Sequence, residues 1–365
     1  MISIIGAGPV GNFLAYNLAK QGKKVNVYED HKKIGLPVQC TGIITPELHS
    51  FMKVSPKFTV NKIAKAKIYA PSGESIVVKF SREDIIVDRT KFDAYLGSLA
   101  EKEGAKYHLD HRYKGNKGKT LHINDKHVKT DVLVGADGPL SRVAKNNGLW
   151  CDRKSIIGNQ VTVEADAEDR SMMEIWLGIG LFSWFVPEAK GLARVGTMSY
   201  NKPTEHLNQL IKLRCPKAKV VSRQPGHIPI YSPKQKIQKD FVYLIGDAAG
   251  QVKPTSYGGI IHGMKAGTIM ARDMKNYQKN CKKEVGRDLY LSLLMRKAMD
   301  NFSLEDYNKL VAMFAQDKVK RVLETNSRDF PTKFILDLLV KEPKLLKFAP
   351  RVLVKSKAKK RSDAA

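Results

Sequence analysis

The stretch ISIIGAGPVGNFLAYNLAKQGKKVNVYED, residues 2–30, decides the reading of the chain. Its opening residues suit a short buried strand and run directly into Gly6-Ala7-Gly8-Pro9-Val10-Gly11. An apolar-periodic segment from Asn12 to Gly22 follows, then a second strand that ends in Glu29. Strand, glycine turn, helix and strand, with an acid about 20 residues on, is the context in which G-x-G-x-x-G binds a dinucleotide. Gly6 permits the turn, Gly8 lets the backbone approach a pyrophosphate, and Gly11 lets helix and strand pack closely. The helix N-terminus receives the negative charge, and Glu29 is placed to accept hydrogen bonds from a ribose diol. The motif alone does not separate a flavin from a nicotinamide dinucleotide, although Pro9 inside the turn leans toward the flavin.

Around this anchor, 365 residues call for two or three compact units. With 42% apolar and 27% charged residues the composition is that of a globular protein. Cys40, Cys151, Cys215 and Cys281 lie far apart without a CxxC pair, which argues against a disulfide framework or a metal site and for a reducing compartment. No run reaches the roughly 18–20 apolar residues of a membrane span. The N-terminus reads as the start of the folded motif rather than a cleaved signal. The expected location is the cytoplasm, with peripheral contact on the inner membrane face left open.

Lys and Arg number 63 against 36 Asp and Glu, a formal charge of +27. A nucleic-acid binder would show a basic helix or an aromatic-studded basic sheet; neither is present, and no nucleic-acid partner is expected. Two readings remain: attraction to an anionic membrane surface, about 1 kcal/mol per basic residue near the headgroups, or a lysine-rich solvated surface. The tail KSKAKKRSDAA (355–365) is the densest basic run and is expected to be disordered.

Three further stations follow the anchor. DRTKFDAYLGSLAEKEGA (88–105) reads as a helix entered through Asp88 and Arg89 and ended at Gly104. TDVLVGADGPLSRVAK (130–145) is a buried strand running into a turn and a helix. FVYLIGDAAGQVKPTSYGGIIHGMKAG (241–267) repeats the pattern: a strand delivers Gly246-Asp247, and a helix begins near Gly258-Gly259. Its N-terminus offers a positive dipole end to an anionic ligand.

Between 150 and 235 the pattern turns to strands, NQVTVEADA, SMMEIWLG, GLFSWFVPEA and GLARVGTMSY, spaced like a meander. A sheet presenting Trp176, Phe182, Trp184 and Phe185 to a ligand would form an apolar tunnel; taken singly, each aromatic could equally be ordinary core. From 287 to 354 the reading is helical, with Ser303 and Asp306 set as a capping box. FILDLLVKEPKLLKFAPRVLV (334–354) suits a lid, a membrane-facing amphipathic segment or simple packing, the last being preferred.

These stations, in this order, resemble the FAD-dependent oxidoreductases of the para-hydroxybenzoate hydroxylase type. PVQCTG (37–42) with DRTKFD (88–93) and GLFSWFVP (180–187) looks most similar to the geranylgeranyl reductase branch, which includes archaeal digeranylgeranylglycerophospholipid reductases. The resemblance implies an α/β fold. A Rossmann-like FAD-binding domain (1–150 and 236–285) would carry a mixed or antiparallel β-sheet substrate domain (151–235, joined by strands from 54–87) and a C-terminal helical region (286–354). It implies FAD contacts at Gly6, Gly8, Val10, Gly11, Glu29, Cys40, Thr41, Gly42, Arg89, Tyr113, Asp247, Gly259 and Ile260. The aromatic box departs from the branch's Tyr-x-Trp-x-Phe-Pro: it reads Phe182-Ser183-Trp184-Phe185-Val186-Pro187, without the Tyr hydroxyl. The chain is also short after the flavin domain, so a reduced C-terminal cover is expected.

The implied activity is saturation of prenyl C=C bonds by hydride transfer from reduced FAD, with a proton to the other carbon. Cys40 and Tyr257 are the candidate acids, since a thiol is ordinarily protonated at neutral pH. NAD(P)H, a deazaflavin or ferredoxin would be the electron donor, and a prenyl lipid the substrate. An aromatic monooxygenase is the alternative, with a flavin halogenase (needing a lysine such as Lys253) and a non-catalytic flavin binder behind it.

Overall fold

The structure, a computed structural model, describes residues 1–354; the tail expected to be disordered lies outside them. Two sheets organise the chain. The first grows from β1 (Ile2–Ile5), α1 (Pro9–Lys20) and β2 (Val25–Tyr28). β6 (Lys106–His108) adds beyond β2, while β10 (Val132–Gly135) and β17 (Val242–Leu244) add beyond β1, all parallel. The two-residue β16 (Gln238–Lys239) closes the edge antiparallel. Sequence order therefore reverses across β1, and in such a sheet the carboxyl ends of the strands form the ligand crevice. Ile4, Val27, Leu133 and Leu244 are fully buried, because a parallel sheet covered on both faces has no solvent side.

α2 (Arg89–Lys102) packs against α1 and is capped by Asp88, whose side chain accepts from the Lys91 N–H. A small three-stranded sheet, β7 (Tyr113–Lys117), β8 (Thr120–Ile123) and β9 (Lys126–Lys129), leads to β10, and α3 (Arg142–Asn146) follows.

The second sheet has eight strands. β11 (Ser155–Glu164), β12 (Met172–Trp176), β13 (Phe182–Ala189), β14 (Leu192–Ser199) and β15 (Lys219–Pro229) are joined by β3 (Ile43–Ile44), β4 (Thr59–Tyr69) and β5 (Ser75–Val87). The order is β15-β11-β14-β13-β12-β4-β5-β3, with β12 parallel to β4 and the other pairs antiparallel. A simple meander would set β11 beside β12. Instead β11 pairs with β14, so only β12, β13 and β14 form a meander. The reason is non-local: the edge of β12 is taken by β4, leaving β14 as the edge to which β11 can bond. α4 (Pro203–Arg214) covers the far face, burying Leu207 and Leu210.

After β17 come α5 (Ile260–Arg272), α6 (Tyr277–Glu284), α7 (Gly286–Met299), α8 (Leu304–Phe314), α9 (Asp317–Thr325) and α10 (Ile335–Lys341), then a 3-10 run, Pro343–Val352. The Ser303–Asp306 capping box at α8 is formed. α8 packs Val311 against Ala70, Ile76 and Val78, so the short C-terminal region still covers the β4–β5 end of the large sheet. Among the described residues, no helix is long and apolar enough to cross a membrane.

Candidate active site

The site begins where β1 meets α1. Gly6 adopts φ +104°, and a Cβ there would lie 2.4 Å from the Ala136 carbonyl oxygen. At Gly11 a Cβ would lie 2.2 Å from the Gly6 carbonyl oxygen, whereas one at Gly8 would meet nothing within 4 Å. Two glycines thus serve the contact of helix and strand, and Gly8 leaves open space. Val10 fills the gap toward α5, against Gly246 and Gly263. Glu29 is locked at the turn: its carboxylate accepts from the Ala7 N–H at 2.8 Å and the His31 N–H at 3.1 Å. Asn12, which carried no sequence signal beyond its place in a helix, donates to the carbonyls of Ala7 and Asp93 and accepts from the Tyr107 hydroxyl. This buried amide rivets the turn to α2.

A cavity of about 1040 Å³ opens from this turn. Gly6–Gly11, Glu29, Arg112 and Tyr113 line one part of it. A second part is lined by the 35–42 turn, Arg89, Asp247 and Gly258–Ile260, and a third by the large sheet and the C-terminal helices. The first two parts fit an FAD. Gly8 opens onto the cavity at the α1 N-terminus, and Asp247 stands opposite Gly259, whose Cβ would come within 2.9 Å of its carboxylate. Burial pushes the Asp247 carboxyl above the usual range, with Arg89 and Arg153 opposing. Asp137 is raised likewise, against hydrogen bonds from the Ser141 hydroxyl and the Val143 N–H. Tyr113 lines the cavity on β7, its hydroxyl turned to Asn116.

The turn that carries Cys40 is held from three sides. The Gly42 N–H donates to Cys40 Sγ at 3.3 Å. Gly42 takes φ +73°, and a Cβ there would meet the Val87 carbonyl at 2.5 Å and Arg194 Nη1 at 2.6 Å. Arg194, buried on β14, donates to the Thr41 and Val87 carbonyls and pairs with Glu188 at 2.5 Å. Arg194 had no sequence signal, because the two carbonyls it braces, of Thr41 and Val87, lie more than a hundred residues away. Arg89 pairs with the buried Asp93 at 3.0 and 2.8 Å and also faces Cys40. Burial opposes its charge, but Asp93 and Cys40 outweigh that cost and Arg89 stays cationic.

The register of β12 and β13 sorts the four aromatics. Ile175 pairs with Trp184, Trp176 with Ser183, and Glu174 with Phe185. Successive side chains alternate faces, and paired residues share one. Met173, Ile175, Phe182 and Trp184 therefore line the cavity. Trp176 and Phe185 lie on the opposite face: Trp176 stacks on Tyr69 at 4.9 Å and Phe185 sits under the Arg214 guanidinium at 4.2 Å. Reading both as cavity residues is corrected by this alternation. Trp184 is fixed by its indole N–H to Gln160 at 3.2 Å and lies on Gly196, where any Cβ would strike its ring. Ile68, Val78, Phe80, Phe314 and Leu323 complete the apolar arm.

Tyr257 lines the cavity with its ring stacked on Phe182, centroids 6.0 Å apart. Its hydroxyl is buried without a hydrogen-bond partner, near Arg296 and Asp300, and burial raises it well above the usual tyrosine value. The reading of Tyr257 as an acid is not matched by its geometry, since the hydroxyl is buried near Arg296 and Asp300, neither of which lines the cavity. Lys253 is equally committed: its ammonium donates to Asp329 at 2.6 Å and to the Arg328 carbonyl at 3.0 Å.

His262, on the first turn of α5, is 1% exposed, and neither ring nitrogen has a partner. Burial lowers it to about 4, with Asp329 opposing and Lys253 adding. An unfolded histidine takes up its proton below about 6.5. Between those values the unfolded state binds the extra proton, so stability falls as pH drops through that window. From about pH 7 to pH 5 the loss from this one group is about 2 kcal/mol. His262→Phe is expected to remove most of it, measured as the difference in urea midpoint between the two pH values. An unchanged difference would assign the acid sensitivity elsewhere.

The NAD(P)-binding Rossmann-like domain family matches residues 4–43. A digeranylgeranylglycerophospholipid reductase of Methanococcus vannielii is 31% identical over 311 residues, which are 76% of this chain and 79% of that one. The protein of the same name from Methanocaldococcus jannaschii is 27% identical over 95% of this chain and 96% of its own. Among solved structures, a geranylgeranyl bacteriochlorophyll reductase-like protein from Thermoplasma acidophilum superposes with a TM-score of 0.85 at 22% identity, over 96% of this chain and 98% of that one. The halogenase PltM, in complex with FAD, reaches 0.68 at 15% identity over 96% and 85%, a likeness of fold alone.

Proposed function

The chain belongs to the digeranylgeranylglycerophospholipid reductase family, and from that premise we propose that it saturates the C=C bonds of geranylgeranyl chains on membrane lipids, using FAD. The observation that carries the reading is the continuity of one cavity from the glycine turn to an apolar arm. A prenyl chain needs a long apolar slot with few polar contacts.

When bound, reduced FAD supplies the hydride that adds to one alkene carbon. The chain's own residues do the rest. Gly6–Gly11 and the α1 N-terminus would hold the pyrophosphate, Glu29 the ribose and Asp247 the ribityl hydroxyls, and Gly259 and Ile260 at the α5 N-terminus would offer a positive dipole end to the flavin. Met173, Ile175, Phe182 and Trp184 position the chain and exclude water. The proton for the second carbon comes from Cys40 Sγ. The charge left on sulfur then lies beside the permanent cation of Arg89.

NAD(P)H, a reduced deazaflavin or ferredoxin is the proposed electron donor, docking transiently, and the protein works in peripheral contact with an anionic membrane. The halogenase reading needs a lysine whose ammonium is free at the cavity; Lys253 lines the cavity, but its ammonium is held by Asp329 and the Arg328 carbonyl.

The test is anaerobic reduction of the flavin-loaded protein followed by mass spectrometry of added geranylgeranyl lipid. A gain of two hydrogens per bond is expected, and reduced flavin that persists with unchanged lipid would sink the assignment. Cys40→Ala, compared at equal flavin content, is expected to slow reoxidation by prenyl lipid about a hundredfold or more. Tyr257→Phe should stay within about twofold, since its hydroxyl is sealed off. Wild-type rates for Cys40→Ala would remove the thiol from the mechanism.

A further inference from the structure

The C-terminal segment 332–354 is amphipathic in a way the rest of the protein does not use. Its inner side packs: Phe334 and Leu338 are buried against Val319 and Val322 of α9. Its outer side is apolar and bare. Leu336 is 74% exposed, Val340 77%, Leu346 55% and Leu353 87%. Leu336 and Val340, four residues apart on α10, share one helix face. Isolated exposed leucines are ordinary, but several on consecutive short elements mark a contact surface.

The charge around them points to one partner. The segment holds five basic and two acidic residues. Lys341 pairs with Asp337 and Arg351 with Asp306, leaving Lys333, Lys344 and Lys347 exposed without an acidic partner among the described residues. Bare apolar side chains among unpaired lysines are the composition that settles into the headgroup layer of an anionic bilayer. A second copy of a chain with charge +27 would bring like charges together at the same place.

Position supports the same partner. α10 rests on α9, and Leu323 of α9 lines the apolar arm of the cavity. A membrane held on α10 and the following 3-10 run would lie one helix away from the space that receives the prenyl chain. We propose that the exposed face of 333–353 is the membrane-docking surface of the protein, inserting Leu336, Val340, Leu346 and Leu353 into the interface of an anionic bilayer. The choice of a lipid bilayer rests on the prenyl-lipid reading above, but binding is measured without turnover, so the two can fail separately.

The experiment is co-sedimentation of the full, flavin-loaded chain with phosphatidylcholine vesicles, with and without phosphatidylglycerol. Wild-type protein should pellet with the anionic vesicles and be released by high salt. The variant Leu336→Glu/Val340→Glu/Leu346→Glu touches no core residue and should bind them at least about tenfold more weakly. It should keep its flavin and its rate on detergent-dispersed prenyl lipid. Removal of 355–365, with its five basic residues, should weaken binding without abolishing it. The proposal is overturned if the triple variant binds like wild type, if only the tail truncation loses binding, or if wild type stays in solution. It is also overturned if wild type is a dimer that the triple variant dissolves. A protein that binds vesicles but reduces no lipid would leave the docking surface standing and remove the reductase reading.

Discussion

Gly8→Val is expected to yield folded protein that carries almost no flavin, whereas Gly11→Ala is expected to yield little folded protein at all. The two positions stand three residues apart in one motif, yet the structure separates their roles. Gly8 has φ −71° and ψ 175°, an extended conformation open to any residue, and its Cβ would enter empty space on the cavity wall. Valine there costs the fold little but occupies the approach to a pyrophosphate. At Gly11 the added carbon would sit 2.2 Å from the Gly6 carbonyl and 3.1 Å from Ala136 Cβ. The helix would have to lift off the strand, an overpacking cost of about 3 kcal/mol or more. The readouts are far-ultraviolet circular dichroism and the flavin-to-protein absorbance ratio after purification. A flavin-replete Gly8→Val protein would remove the phosphate-binding role from this turn.

Lys253→Met is expected to destabilise the protein by about 3–5 kcal/mol, because it leaves a carboxylate buried without its cation. Asp329 is 4% exposed; although burial opposes its charge, Lys253, His262 and Arg328 hold it well below the usual carboxylate range. It also accepts from the Thr45 hydroxyl, while the neighbouring Arg328 pairs with Asp84 at 3.1 and 2.6 Å. One C-terminal dipeptide thus ties together the flavin loop, β5 and the residue after β3. The double variant Lys253→Met/Asp329→Leu should recover most of the loss, since an apolar replacement of a buried pair is often neutral. Urea denaturation measures both. If the double variant is no more stable than the single one, the cost arises from packing rather than from the orphaned charge.

The glycine fingerprint, Glu29 and the helix entered at Asp88 were legible in the sequence because each is set by neighbours within about 30 residues. The same holds for the strands at 132–135 and 242–244 and for the Ser303 cap. Hydrophobic periodicity and turn chemistry act over that range. The aromatic box was half legible. Its alternation is local, but which phase of it faces the ligand depends on which side of the sheet α4 occupies, and that is why Phe182 and Trp184 line the cavity while Trp176 and Phe185 do not. Arg194, Asn12 and the Lys253–Asp329 pair were not legible, because the contacts that define their roles, to the Thr41 carbonyl, the Asp93 carbonyl and each other, span 76 to 153 residues.

For PVQCTG the division is clear. By itself the sequence determined a glycine-bounded turn with a lone thiol, and the family resemblance placed that turn beside a flavin. Only the tertiary structure decided how the turn is held. Gly42 is needed there for the approach of Val87 and Arg194, and Cys40 lies beside a guanidinium that Asp93 keeps in place. Backbone conformation follows from local sterics and is written in adjacent residues. The electrostatic surroundings of a side chain are set by whichever distant residues the fold brings within a few ångströms of it.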